Sequence, residues 1–158
     1  LWRSDGTPSG TVPVENSPLR PRDLTPLGPA VLFAGTEDAT GTELWRSDGT
    51  AEGTFLLADL APTESSSPAA LTAAGERVFF RANGGAGVDL WSSDGTPEGT
   101  VELTEFDLST LESPPANLTP LGDVVLFGTN TDEDRGLWSS DGTAQGTRRL
   151  ASLSQGVT

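Results

Sequence analysis

Three stretches of the chain repeat one order of apolar and polar positions. Leu24-Thr25-Pro26-Leu27-Gly28-Pro29-Ala30-Val31-Leu32-Phe33 returns as Leu71-Thr72-Ala73-Ala74-Gly75-Glu76-Arg77-Val78-Phe79-Phe80. It returns again as Leu118-Thr119-Pro120-Leu121-Gly122-Asp123-Val124-Val125-Leu126-Phe127, each step being 47 residues. Each stretch predicts a short strand, a tight turn at Gly28, Gly75 or Gly122, and a second strand. Side chains alternate along a strand, so Val31 and Phe33 point one way and Leu32 the other. A strand apolar on both faces has to be covered from both sides.

Between these stretches lies a second repeated pattern. A Leu-Trp pair stands before Ser-Asp-Gly-Thr four times, with Trp2, Trp45, Trp91 and Trp138 spaced by 43, 46 and 47 residues. Each copy runs on into a second Gly-Thr: Gly10-Thr11, Gly53-Thr54, Gly99-Thr100 and Gly146-Thr147. The Leu-Trp segment predicts a third strand and the Asp-Gly-Thr segment a hairpin loop. Asp accepts backbone amide bonds in turns, and Gly takes positive φ without steric cost. The fourth strand falls at Val12–Val14, Phe55–Leu57, Val101–Leu103 and Arg148–Leu150. It is the most polar of the four and admits Pro13, which places it at an exposed edge.

Four short antiparallel strands in a repeat of about 45 residues describe the blade of a β-propeller. No stretch keeps an apolar face at helical spacing, so no helix is expected. The expected fold is therefore all-β, a propeller of four-stranded antiparallel blades. The strand count gives about three and a half blades, part of a larger ring or assembly. They form one repeat domain, with a half blade at 1–16 and blades at about 24–60, 71–106 and 118–153. The Ser- and Pro-rich segments Asn16–Asp23, Ala61–Ala70 and Ser109–Ala116 are expected to be blade-to-blade crossings.

At this point the residues carry a family resemblance. Glu43-Leu44-Trp45-Arg46-Ser47-Asp48-Gly49-Thr50-Ala51-Glu52-Gly53-Thr54 resembles the ELWxxDGTxxGT repeat of large secreted or surface-attached bacterial proteins, including those of myxobacteria. The resemblance covers nearly the whole chain and implies a secreted or cell-surface location. It carries no agreed activity. Asp89 and Gly136 stand where Glu43 stands, so that glutamate is not a catalytic carboxylate shared among the repeats.

Charge and composition narrow the function. The 158 residues carry a formal net charge of −14. A nucleic-acid binder needs a basic surface to displace counterions, so no nucleic-acid partner is expected. Anionic lipid is disfavoured for the same reason, and no apolar stretch is long enough for membrane insertion. The chain has no Cys, His, Met, Tyr, Lys or Ile. The joint absence of Lys, Ile, Tyr and Met, beside much Ala, Gly, Pro, Arg and Leu, fits the codon bias of a GC-rich bacterial genome. The sequence opens inside a repeat and shows no signal peptide, which reads as a processed or truncated piece of a longer protein.

The candidate chemistry is sparse. The four Trp residues offer either a sugar-stacking platform or core wedges between blades. The wedge is the stronger expectation, with Trp45, Trp91 and Trp138 mostly buried and Trp2 more exposed. Asp5, Asp48, Asp94 and Asp141 are expected as structural turn residues, since their spacing does not match an EF-hand loop. Arg3, Arg46, Ser92 and Ser139, which follow the tryptophans, vary enough to suggest an exposed or half-exposed position. Glu37, Asp38, Asp89, Asp132, Glu133 and Asp134 are assigned to loops joining the second and third strands. With Asp59, Glu64, Asp107 and Glu112 they would make one face acidic. That face suits solvation first, and a basic protein or Ca²⁺ second. No cofactor or metal is otherwise expected.

No catalytic residue is assigned. A carboxylate pair could hydrolyse a glycoside, but nothing in the sequence fixes two of them about 5–9 Å apart. The repeated Ser-Asp has no base to activate the serine. The Asp-Gly hairpin resembles the Asp-boxes of sialidases, which are structural, and the tyrosine nucleophile of those enzymes is absent. The expected function is a non-catalytic scaffold for protein–protein interaction or assembly, with other chains or the remaining blades of a parent protein as partners. A lectin-like glycan binder is the alternative, and a glycoside hydrolase fragment a remote one. The isolated chain is expected to form species larger than its 16.4 kDa monomer.

Overall fold

The computed structural model describes residues 1–85, 87–103, 115–130 and 135–152. Among them there are fourteen strands and no helix. β1 (Trp2–Arg3) and β2 (Val12–Pro13) pair as a two-stranded sheet. Three four-stranded sheets follow, each an antiparallel meander in chain order. The first contains β3 (Leu19–Leu27), β4 (Ala30–Glu37), β5 (Gly41–Ser47) and β6 (Phe55–Ala58). The second contains β7 (Ala69–Ala74), β8 (Arg77–Asn83), β9 (Val88–Ser93) and β10 (Val101–Glu102). The third contains β11 (Ala116–Leu121), β12 (Val124–Asn130), β13 (Arg135–Ser140) and β14 (Arg148–Ser152).

The alternation of apolar residues sets the packing between sheets. Leu32, Leu44 and Leu57 of the first sheet share one core with Val78, Phe80, Ala82 and Trp91 of the second. Phe79, Leu90 and Leu103 leave the opposite face of the second sheet and meet Val125 and Phe127 of the third. Adjacent residues of β8 thus serve different cores, as period-two alternation requires. Phe33, Phe80 and Phe127 are the cross-strand partners of Trp45, Trp91 and Trp138. The last two pairs are stacked, with centroids 6.5 and 6.1 Å apart. Such pairs add specificity to burial.

Trp45 and Trp91 are buried and Trp2 is exposed. Trp138, expected to be mostly buried, is only half-buried. The guanidinium of Arg149 lies 5.9 Å from its ring centroid, where a charged side chain that keeps its head in water covers the ring. Of the outermost strands, β10 and β14 are exposed along their whole length, whereas β6 is apolar throughout and buries Leu57.

The first strands start earlier than the apolar pattern suggests. Leu19–Asp23, assigned to a crossing, belongs to β3. The extra length is reached through a bulge at one repeated position. Asp23, Ala70 and Asn117 have φ of 56°, 57° and 57°, and the pairing register shifts beside each. The threonine two residues on donates its hydroxyl to the carbonyl of the bulged residue: Thr25 to Asp23 at 3.0 Å, Thr72 to Ala70 at 3.0 Å and Thr119 to Asn117 at 2.9 Å. This explains the repeated Leu-Thr. The bulges also tie neighbouring sheets together, since Asp23 Oδ2 accepts the Ala70 amide at 3.1 Å and Thr25 Oγ1 donates to the Leu71 carbonyl at 3.2 Å.

Alanine is a poor residue for left-handed backbone, whereas asparagine tolerates it. Ala70 is exposed, so a larger side chain fits. Ala70→Asn, copying Asn117, is expected to raise stability by about 0.5–1 kcal/mol. Urea denaturation checks this, and a loss of stability would mean that the bulge is not strained.

Candidate functional site

The four Ser-Asp-Gly-Thr segments build the same hydrogen-bonded turn four times. In the second copy, Asp48 Oδ1 accepts the Thr50 amide at 2.9 Å and the Thr50 hydroxyl at 2.7 Å. The Thr50 hydroxyl in turn accepts the Gly53 amide at 3.0 Å. Ser47 Oγ accepts the Gly49 amide at 3.0 Å and lies 2.7 Å from Thr54 Oγ1. Thr54 Oγ1 donates to the Thr50 carbonyl at 2.6 Å, which leaves Ser47 as donor of that hydroxyl pair. The turns around Asp5, Asp94 and Asp141 repeat these bonds.

Backbone geometry accounts for both glycines. Gly6, Gly49, Gly95 and Gly142 hold φ of 90°, 87°, 87° and 88°, a region that side chains disfavour. A Cβ on the second glycine, Gly10, Gly53, Gly99 or Gly146, would fall 2.0 Å from the aspartate Oδ1. Every repeated letter of the segment is therefore used inside its own turn. The bonds hold Asp5, Asp48, Asp94 and Asp141 below the usual carboxylate range, the threonine hydroxyl being the largest cause at each.

The turns at Gly49, Gly95 and Gly142 also sit on the preceding sheet. Gly49 faces Arg3, Gly95 faces Leu27 and Arg46, and Gly142 faces Arg77 and Phe79. The Ser92 hydroxyl donates to the Gly142 carbonyl at 3.1 Å. The position after Trp2, Trp45 and Trp91 is thus a seat for the next turn. Arg3 is exposed and Arg46 half-buried, as an exposed or half-exposed position requires, whereas Ser92 and Ser139 are buried. Variation there reflects two ways of filling the seat.

Between the first two sheets this stacking leaves an open groove of ≈ 620 Å³, lined by Pro26–Pro29, Arg46, Gly75, Glu76 and Asp94–Thr96. It combines one guanidinium with two carboxylates. It offers hydrogen bonds but no nucleophile beside a base.

Of the acidic residues expected on one loop face, the described ones lie in different settings. Glu37 ends β4, Asp38 follows it, and both are exposed. Asp89 is not on a loop: it lies within β9 opposite Ala82 and is buried. The strand extends further than its polar residue implied, because the Leu-Trp pairing continues to Val88. Asp132, Glu133 and Asp134 lie outside the described residues, as do Asp107 and Glu112. Among the described residues no three Asp, Glu or His side chains are placed to hold a metal ion.

Glu43 has the strongest local environment. It is fully buried in β5. Its Oε1 accepts the Ser66 amide at 2.7 Å, and its Oε2 accepts the Leu60 amide at 3.1 Å and the Ser66 hydroxyl. The same crossing is held by the Ser67 amide on the Thr42 carbonyl at 2.9 Å and the Asn83 amide on the Ser66 carbonyl at 2.8 Å. Burial pushes the Glu43 carboxyl above its usual range, against the lowering by Ser66 and Leu60. Glu43 therefore clamps the crossing from the first sheet to the second. Its absence from the other repeats hides this role in the sequence, although the three consecutive serines 65–67 are its visible counterpart.

Comparison with protein-family models returns no match, and neither does comparison with curated proteins.

Proposed function

We propose that this chain is a stretch of β-propeller acting as a non-catalytic scaffold of a secreted or surface bacterial protein, holding proteins together rather than transforming a substrate. One observation carries this reading. The Ser, Asp and Thr side chains that recur in all four copies are consumed by bonds inside their own turns, and Trp45 and Trp91 by burial within the sheets. The secreted or surface location follows from the resemblance of the repeat. Without Cys, His, Lys or Tyr, the groups that remain for catalysis are carboxylates, Arg and hydroxyls.

The groove at Arg46, Glu76 and Asp94 favours a second reading, a lectin-like site, because charged groups of both signs can bond sugar hydroxyls. A glycan array with the purified protein separates the two. No binding is expected. Binding that is lost in both Arg46→Ala and Glu76→Gln would replace the scaffold with the lectin.

A further inference from the structure

Asp-Gly and Asn-Gly are the residue pairs most prone to a spontaneous backbone reaction. The glycine nitrogen attacks the side-chain carbonyl carbon of the residue before it. A new N–C bond closes a succinimide ring, and water leaves from aspartic acid or ammonia from asparagine. Water then opens the ring at either carbonyl, giving aspartate or isoaspartate. Glycine favours the attack because no Cβ shields its nitrogen. This chain carries four Asp-Gly pairs, at Asp5, Asp48, Asp94 and Asp141, and one Asn-Gly pair, Asn83-Gly84.

The four turns hold both partners of that attack. The glycine N–H has to give up its proton, and it donates instead to the serine hydroxyl, at 3.0 Å for Gly6, Gly49 and Gly95 and 3.1 Å for Gly142. The aspartate Oδ1 accepts the amide and the hydroxyl of the threonine two residues on, at 2.9 and 2.7 Å in every copy. Those bonds turn the carboxylate toward the threonine and favour its ionised form. Water leaves only from the protonated form.

Asn83 is placed differently. It ends β8 and is half-buried, and the glycines that follow it, Gly84 and Gly85, are exposed. Its Oδ1 accepts the Gly85 amide at 2.8 Å, and among the described residues no hydroxyl bonds to it. The Gly84 N–H reaches across the loop to the Gly87 carbonyl at 3.1 Å, with no side chain holding it. The amide of asparagine needs no neutralisation before ammonia leaves. Packing fixes the pair, because a Cβ on Gly84 would fall 2.9 Å from Trp91 Cζ2.

We propose that the serine and threonine of each turn keep its Asp-Gly pair from cyclising, and that Asn83-Gly84 is the site at which this chain undergoes spontaneous deamidation. The consequence is local. Isoaspartate lengthens the backbone by one atom at the end of β8, where the Asn83 amide donates to the Ser66 carbonyl at 2.8 Å. Deamidation therefore loosens the crossing that Glu43 holds.

The test incubates the full chain folded and in guanidinium chloride, in mildly acidic and in neutral buffer. Peptide mapping reads ammonia loss at Asn83 by mass, and enzymatic isoaspartyl methylation of the separated peptides reads each aspartate. Asp48, Asp94 and Asp141 should react about tenfold or more slowly in the folded chain than in denaturant, since a bond to a charged oxygen is of that worth. Asn83 should react at close to its unfolded rate. Thr50→Val and Ser47→Ala, with circular dichroism to show that the sheets persist, should each speed the reaction at Asp48 about tenfold and leave Asp94 and Asp141 unchanged. Aspartates that react as fast folded as unfolded would overturn the protective turn, and so would a variant in which Asp48 stays as slow as Asp94. If the variants do not fold, the comparison of the folded and denatured parent decides. Protection of Asn83 equal to that of Asp48 would overturn the deamidation site.

Discussion

Replacing Trp91 with alanine is expected to cost about 3–5 kcal/mol of folding stability, the range for a large aromatic removed from a packed core. Trp91 stacks on Phe80 with an interplanar angle of 21° and joins the core formed by Leu32, Leu44 and Leu57. Its indole N–H also donates to the Ala82 carbonyl at 3.2 Å, so truncation removes a satisfied polar group together with the apolar wedge. The contact it makes is between sheets, and its loss separates two repeats as well as opening a cavity. Trp2→Ala is the internal control, because a largely exposed side chain should change stability by less than about 0.5 kcal/mol. Urea denaturation of both variants gives the comparison. A loss below about 1 kcal/mol at Trp91 would contradict the wedge, and a selective loss of sugar binding would reassign it to a ligand.

The strand order was legible because three constraints coincide in every repeat. The doubly apolar Val-Leu-Phe segment, the Leu-Trp pair and the Asp-Gly turn each recur at nearly fixed spacing, and each has one physical solution. The turn was the most legible part, since Ser, Asp, Gly and Thr act within eight consecutive residues. Asp89 looks in sequence like a loop residue because it is a carboxylate, and only its pairing with Ala82 places it in a strand. The bulges at Asp23, Ala70 and Asn117 were hidden because three different side chains share one backbone conformation. Trp138 follows its repeat in position but not in burial, and the Arg149 guanidinium covers part of its ring. The Glu43 clamp depends on partners 17 and 23 residues away in a crossing that differs between repeats.

Glu43→Ala should destabilise the chain by about 2–6 kcal/mol, since it strips the acceptor from two backbone amides, at roughly 1–3 kcal/mol for each one left unsatisfied in a buried place. Leu60 and Ser66 supply those amides. The freed crossing contains the exposed Glu64, so a glutamate-specific protease should cut there faster in the variant than in the parent. Glu43→Gln distinguishes the acceptor role from the charge. It keeps one oxygen and loses the other, and should retain part of the stability. The pH dependence fixes the sign. Burial raises the folded-state pKa of Glu43 above its ordinary 4.5, so between that value and the folded pKa the native state holds a proton that the unfolded chain has released. The contribution of this group to stability is then greatest below 4.5 and declines as pH rises through the folded pKa. The deficit of Glu43→Gln relative to the parent should accordingly be largest in acid and shrink toward neutrality. The turn aspartates act oppositely, since their lowered pKa values give a contribution that is lost only as pH falls below 3.8, and that contribution is common to both proteins. A deficit that grows with pH would mean that Glu43 is stabilised as the carboxylate, and the clamp would then be an ionised acceptor strengthened by its three hydrogen bonds rather than a carboxyl held against burial.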